Sequence, residues 1–198
     1  MVRLGQGVFL QGKLDRQAVQ RTVHAFLRFR KVAAQFRAGK IIAFGTSALR
    51  EVTDRDGFLK MLLERTGIQV RVISGTEEAQ LIALGILSQE KPRKGKFALV
   101  DIGGGSTEIS ICRGRNVLHS ASFPLGTARL QQVFLKKSPP AATSIEDLRK
   151  YIQGVLSEVM LPEHWPKVDH VVGSSGTIKA LAKILEGSEW KPFDRKEL

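Results

Sequence analysis

Asp101-Ile-Gly-Gly-Gly-Ser-Thr-Glu108 sets a carboxylate at each end of a glycine-rich bend. Residues 97–100 form an apolar run leading into Asp101, and residues 108–111 alternate polar and apolar, so the spacing predicts a β-hairpin with a carboxylate at its mouth. Glycines permit positive φ and close approach of the backbone to a ligand. Consecutive N–H groups in such a bend make a concave nest for an anion such as phosphate. Asp101 and Glu108 add hard oxygen ligands of the kind Mg²⁺ on phosphate requires. An ordinary glycine-rich hairpin with a capping Asp is the competing reading.

Three other stretches carry reactive groups. In Ser74-Gly-Thr-Glu-Glu78 two adjacent carboxylates stand at a predicted helix start. With Ser74 as N-cap, Glu77 is placed to complete a capping box. Glu78, about 100° further round the helix, is left to act as general base on a water or simply to complement the helix dipole. Gly45-Thr-Ser-Ala-Leu-Arg50 puts a guanidinium just after a predicted strand, where it can stabilise charge on a transferring phosphoryl group or lie on the surface of a first helical turn. Gly173-Ser-Ser-Gly-Thr-Ile-Lys179 has the shape of an anion site at a helix N-terminus, with Ser175, Gly176 and Thr177 at the turn. Thr177 can equally be only a cap, and Lys179 can reach a distal phosphate or water. His24, His119, His164 and His170 share no metal-ligand spacing.

The elements that must position these groups follow from periodicity. A short strand and its turn are expected at 2–4 and 8–10. Asp15 caps a helix with Val19, Val23, Phe26 and Leu27 on one face, ended by Gly39. A buried strand is expected at 40–46, a helix carrying Phe58, Met61 and Leu62 and ended by Gly67, a strand at 69–73 and a helix at 74–87. This alternation is that of an α/β layer with crossover connections. The polar segment 88–96 reads as a domain junction, giving domains 1–92 and 93–198. Beyond the hairpin come a strand at 116–123 and a helix from Ser144 with Ile145, Leu148, Ile152, Val155 and Leu156 buried and Asp147 completing a capping box. A buried strand at 168–172, a tight turn at 173–177, a helix at 178–185 and a partly ordered tail complete the chain.

The 198 residues are enough for one good core or two small ones, and 42% hydrophobic content is that of a globular protein. No apolar run approaches the ~20 residues of a membrane span, and the N-terminus lacks a signal-peptide pattern, so cytoplasm is the expected compartment. One cysteine, Cys112, excludes an internal disulfide framework. A formal charge of +12 points to an acidic partner such as polyphosphate, nucleotide or nucleic acid. The basic residues are scattered without the aromatic interleaving of a base-stacking platform.

Gly45-Thr-Ser-Ala-Leu-Arg50, Ser74-Gly-Thr-Glu-Glu-Ala79, Asp101-Ile-Gly-Gly-Gly-Ser-Thr-Glu108, Gly126-Thr-Ala-Arg-Leu130 and Gly173-Ser-Ser-Gly-Thr177 occur in this order. Together they resemble the exopolyphosphatase and guanosine pentaphosphate phosphatase family. The resemblance implies an α/β fold of two actin-like ATPase (ribonuclease H-like) domains. It also implies Mg²⁺-assisted release of orthophosphate from the end of polyphosphate or from guanosine pentaphosphate. Glu78 then resembles the catalytic base and Arg50 the arginine facing the phosphates. Asp101 and Glu108 resemble the metal-holding carboxylates, and Gly103, Gly104, Gly105, Ser106 and Thr107 the second phosphate loop, with Ser175, Gly176 and Thr177 as a further phosphate contact. The expected partner is the phosphate-bearing substrate, with no membrane and no sequence-specific nucleic acid, and a homodimer is left open. Family members open with a loop of the form Asp-x-Gly-Ser-Asn-Ser that this sequence does not contain, which implies an N-terminally truncated first domain. A non-catalytic polyanion-binding module and a kinase-like ATPase are the alternatives.

Overall fold

The structure, a computed structural model, describes residues 2–89, 93–159 and 167–186. It forms two compact units, Met1–Ser74 and Gly75–Leu198. The first holds α1 (Val8–Gln11), α2 (Arg16–Gln35), β1 (Ala43–Gly45), α3 (Ser47–Glu51), α4 (Arg55–Thr66) and β2 (Val70–Val72). Asp15 caps α2 by accepting a 2.9 Å hydrogen bond from the Ala18 N–H, and Gly67, at φ 69°, ends α4 in the left-handed conformation. Strands β1 and β2 pair in parallel, as a crossover through α3 and α4 requires. Val8, Val23, Leu49, Val52, Phe58 and Leu62 make the core of this unit. Arg30 ties α2 to the end of α4 through the Thr66 carbonyl at 3.0 Å.

Several expectations for this unit are corrected. Residues 8–10 are helical and not a strand, because Gly7 and Gly12, at φ 81° and 64°, bracket a single turn as its two caps. The α2 helix ends at Gln35, with Phe36 as C-cap, before it reaches Gly39. The strand expected at 40–46 shrinks to three residues and is not buried: Ile42 is 65% and Phe44 46% exposed. Among the described residues its sheet has only one other strand to cover it. The Phe44 ring lies instead under the Arg71 guanidinium, 5.0 Å from its centroid.

The second unit holds α5 (Gly75–Gln89), β3 (Arg93–Ile102), β4 (Thr107–Gly114), β5 (Asn116–Phe123), α6 (Thr127–Phe134), α7 (Ala142–Val159), β6 (His170–Ser174) and α8 (Ser175–Glu186). Its sheet runs β5-β4-β3-β6, with β3, β4 and β5 antiparallel and β6 parallel to β3. This is the ribonuclease H-like arrangement. On one face, Ala83 and Leu87 of α5 pack on Phe97, Leu99 and Cys112. That packing places α5 in the second unit, whereas the polar segment 88–96 suggests a junction after it; residues 90–92 of that segment lie outside the described residues. Cys112 is fully buried, and desolvation pushes its thiol up to about 11, which leaves it protonated and inert.

Helix α7 starts two residues earlier than Ser144: Ala142 is its first residue and the Ile145 N–H bonds the Ala141 carbonyl, so Ser144 lies inside the helix and the capping box does not form. Ile145 is exposed, while Leu148, Ile152, Val155 and Leu156 are half-buried. Strand β6 is an edge, with Val171 49% exposed, and it runs straight into α8 without the separate turn expected at 173–177. The tail at 187–198 lies outside the described residues. Among the described residues no helix is long and apolar enough to cross a membrane. Leu62 is 1% exposed in the first core, so Leu62→Ala should cost about 2–5 kcal/mol in urea unfolding, against about 1 kcal/mol for loss of the Asp15 cap in Asp15→Ala.

Candidate active site

Cross-strand register decides which side chains share a face. Asp101 is paired with Glu108, Glu108 with Ser122, Ser110 with Ser120, and Phe97 with Cys112. Directly opposed residues project to the same side of a sheet, so one face is apolar at Phe97 and Cys112 and becomes polar towards the hairpin bend. The α5 helix lies along this face, and Ser110 Oγ donates to the Ala79 carbonyl at 3.4 Å. The first turn of α5, with Glu77 and Glu78, therefore stands over the polar end.

Glu108 is 3% exposed and accepts a 2.8 Å hydrogen bond from Ser122 Oγ. Burial holds its carboxyl above the usual 4.5; the charges of Glu78 and Asp101 push the same way, while hydrogen bonds from Ser106 and Ser122 pull it back. The structure thus brings Glu78, Asp101 and Glu108 into one electrostatic neighbourhood. Among the described residues no group of three or more His, Cys, Asp or Glu side chains is arranged as a metal site. A phosphate-borne Mg²⁺ needs only one or two carboxylates. Half-buried Asp101 suits that demand better than Glu108, which is enclosed and already bonded to Ser122.

The bend itself is built against α6. Gly103 N–H closes the loop on the Ser106 carbonyl at 2.9 Å. The carbonyls of Gly103 and Gly104 accept from the N–H groups of Thr127 and Arg129, both at 3.0 Å, and the Gly105 carbonyl accepts from Arg129 Nε at 2.7 Å. A Cβ on Gly126 would fall on the backbone of Gly105 and Ser106, well inside the 3.0 Å that real Cβ atoms keep. None of Gly103, Gly104 and Gly105 has positive φ; a Cβ on Gly103 would lie 3.1 Å from the Ser106 carbonyl, a tight contact, whereas Gly104 has ordinary space. The Thr107 hydroxyl is turned inward to the Leu125 carbonyl at 2.9 Å, and Ser106 is buried beside Glu108.

At the neighbouring strand end, Ser174 is paired with Asp101. Ser175, at φ 87°, donates through Oγ to the Ile102 carbonyl at 3.0 Å. Gly176 is exposed and Thr177 half-buried at the start of α8. The second-unit candidates therefore converge on the end of β3. Arg50 belongs to the first unit, where its guanidinium donates to the Ile73 carbonyl at 3.2 Å. Ser122, which alternates with Ser120 on β5, belongs to no motif in the sequence, and Arg129 lies within the Gly126–Leu130 motif.

Two outcomes test this geometry. As pH rises from about 4, the native state keeps the Glu108 proton that the unfolded chain has lost, so stability falls until the native group also ionises. Glu108→Gln keeps an acceptor for Ser122 without that penalty: its melting temperature should exceed wild type near pH 8, with the gap closing near pH 4. Gly126→Ala should destabilise the second unit by roughly 1–3 kcal/mol in denaturant titrations, because the glycine loop must shift.

The model of the Ppx/GppA phosphatase family matches residues 1–196. Exopolyphosphatase 1 of Mycobacterium leprae is 29% identical over 184 residues, covering 92% of this chain and 54% of the relative. Exopolyphosphatase 2 of Mycobacterium tuberculosis is 30% identical over 191 residues, covering 94% and 60%. The chain thus spans little more than half the length of these curated relatives. Among solved structures, an exopolyphosphatase from Cytophaga hutchinsonii superposes with a TM-score of 0.83 at 28% identity, over 92% of this chain and 59% of its own. The Aquifex aeolicus member of the Ppx/GppA family gives 0.72 at 28% identity, over 99% and 61%. A glycine loop and three carboxylates gathered at one strand end, with these likenesses along nearly the whole sequence, lead to one conclusion: the chain belongs to the Ppx/GppA phosphatase family.

Proposed function

We propose that this chain carries the catalytic groups of an exopolyphosphatase-type hydrolase, which releases orthophosphate from the end of a linear polyphosphate. The observation that carries the reading is the convergence, at the end of β3, of the glycine loop, Asp101 and the Glu78–Glu108 pair. The hydroxyls of Ser106 and Thr107 are engaged within the fold, so the main-chain N–H groups of residues 104–106 are the donors offered to phosphate oxygens. Ser175, Gly176 and Thr177 contact a second phosphate from the neighbouring strand end.

Glu78 accepts a proton from water as the water oxygen bonds to the terminal phosphorus. The bond from that phosphorus to the bridging oxygen breaks, and the electron pair leaves with the shortened chain. Asp101 is the carboxylate that would hold Mg²⁺, with Glu108 behind it, and the ion would supply positive charge to neutralise the phosphate oxygens. Burial holds the Glu108 carboxyl above its usual range, with the Ser106 and Ser122 hydrogen bonds opposing the shift. The family resemblance, and no distance, assigns to Arg50 the guanidinium for charge on the transferred group. The surplus of +12 favours capture of a polyanion, a description that polyphosphate and guanosine pentaphosphate both meet.

Orthophosphate release from long-chain polyphosphate with Mg²⁺ tests the scheme. Glu78→Gln should lower kcat by about 10²–10⁴ with an unchanged melting temperature, and Arg50→Ala should lower it by at least ~10². Equal rates for wild type and Glu78→Gln would remove Glu78 from the chemistry. A Cβ on Gly104 has ordinary space, 3.7 Å from Ala128 Cβ, so Gly104→Val tests the loop without breaking it: polyphosphate affinity should drop about tenfold. Binding that Gly104→Val abolishes, without any release by wild type, would mark a polyanion-binding module instead.

A further inference from the structure

We propose that Arg129 is a positioning residue, which turns the third amide of the phosphate loop towards the ligand without touching the ligand itself. The inference rests on the phosphate-loop reading above and names a group that the reading does not use. A trans peptide points its C=O and the following N–H in opposite directions. The carbonyls of Gly103, Gly104 and Gly105 are all drawn to the start of α6, so the amides of Gly104, Gly105 and Ser106 are directed away from it.

The three carbonyls are not held alike. Those of Gly103 and Gly104 meet main-chain N–H groups of the first turn of α6, which any residues at 127 and 129 would supply. The Gly105 carbonyl meets a side chain, Arg129 Nε, at 2.7 Å. The orientation of the Gly105–Ser106 peptide, and with it the Ser106 amide, therefore depends on one replaceable group. The close seat of Gly126 against Gly105 and Ser106 leaves the peptide little alternative while Arg129 holds it. The bond to the carbonyl uses Nε, the guanidinium nitrogen nearest the backbone.

The choice of substitution follows from that atom. Gln carries its amide nitrogen the same number of bonds from the backbone as Arg carries Nε, so Arg129→Gln keeps a neutral donor where it is needed. Arg129→Met keeps the length and removes the donor. Both are compared with wild type for exchange of the Gly103 amide, which closes the loop on the Ser106 carbonyl, without ligand, and, in a Glu78→Gln background that does not consume ligand, for tripolyphosphate binding by calorimetry. Core amides such as those of Phe97 and Leu99 report that each variant is folded. Arg129→Met should exchange its Gly103 amide about tenfold faster and bind tripolyphosphate about tenfold more weakly, whereas Arg129→Gln should stay within about threefold of its parent on both measures. Arg129→Met behaving as its parent would overturn the proposal. So would Arg129→Gln falling as far as Arg129→Met, since the positive charge would then be what acts. If the parent fails to bind tripolyphosphate, the phosphate reading falls, and the exchange measurement still decides whether Arg129 holds the loop.

Discussion

A helix starts with N–H groups that have no partner inside it, and a loop that offers its amides to an anion must dispose of its carbonyls. In the second unit these two requirements satisfy each other. Gly126 caps α6 without any side-chain hydrogen bond, and the Thr127 and Arg129 amides are met by the Gly103 and Gly104 carbonyls. The arrangement demands that two stretches of backbone approach more closely than a Cβ allows, which explains glycine at 126 as directly as glycine in the loop. Sheet order supplies the rest: β4 and β6 flank β3 on either side, so the hairpin bend and the β6–α8 corner open at the same strand end.

The electrostatics of that end follow from depth. Glu108 pays for its place on the α5 side of the sheet with a raised pKa, moderated by Ser106 and Ser122. Asp101, its direct cross-strand partner, is half-buried and one position from the bend. Two carboxylates with one sequence motif in common thus receive different environments, and different environments are how neighbouring acids come to hold different roles. The apolar half of the same face, Phe97, Leu99 and Cys112 under Ala83 and Leu87, keeps α5 in place and so keeps Glu78 near Glu108. Burying Phe97 and Leu99 contributes about 1.5–3 kcal/mol each, against about 0.5–1.5 for a hydrogen bond between neutral groups.

The parts of this architecture legible in the sequence were those dictated locally. The hairpin could be read because an apolar run at 97–100 and an alternating stretch at 108–111 flank three glycines, and α4 because Gly67 stops it in a conformation other residues disfavour. Depth was not legible. Residues 40–46 and 168–172 have the composition of buried strands, yet Phe44 and Val171 are about half exposed, because burial depends on which strands lie beside them. The Val8–Gln11 turn looked like a strand because three apolar residues carry no period, and only Gly7 and Gly12 together define it. Ser122 and Arg129 act across 14 and 24 residues of chain, a reach no local pattern encodes.

Three successive residues at the end of β3 show why the site is specified there. Asp101 presents a carboxylate between Glu108 and Ser174, the Ile102 carbonyl receives Ser175 Oγ, and Gly103 closes the loop on Ser106 while its carbonyl holds Thr127. Each residue fixes a different element: the β4 partner, the α8 corner and α6. Ser175 sits at φ 87°, a conformation that costs a non-glycine residue about 1–3 kcal/mol, while its hydrogen bond to Ile102 returns only about 0.5–1.5. The corner is therefore not held by its own local energetics. It is held by parallel pairing of β6 with β3 through Ser174, which leaves Ser175 no other way to begin α8. Strain at one lip of the site and close backbone contact at the other are both consequences of anchoring everything to the last turnless residues of a single strand.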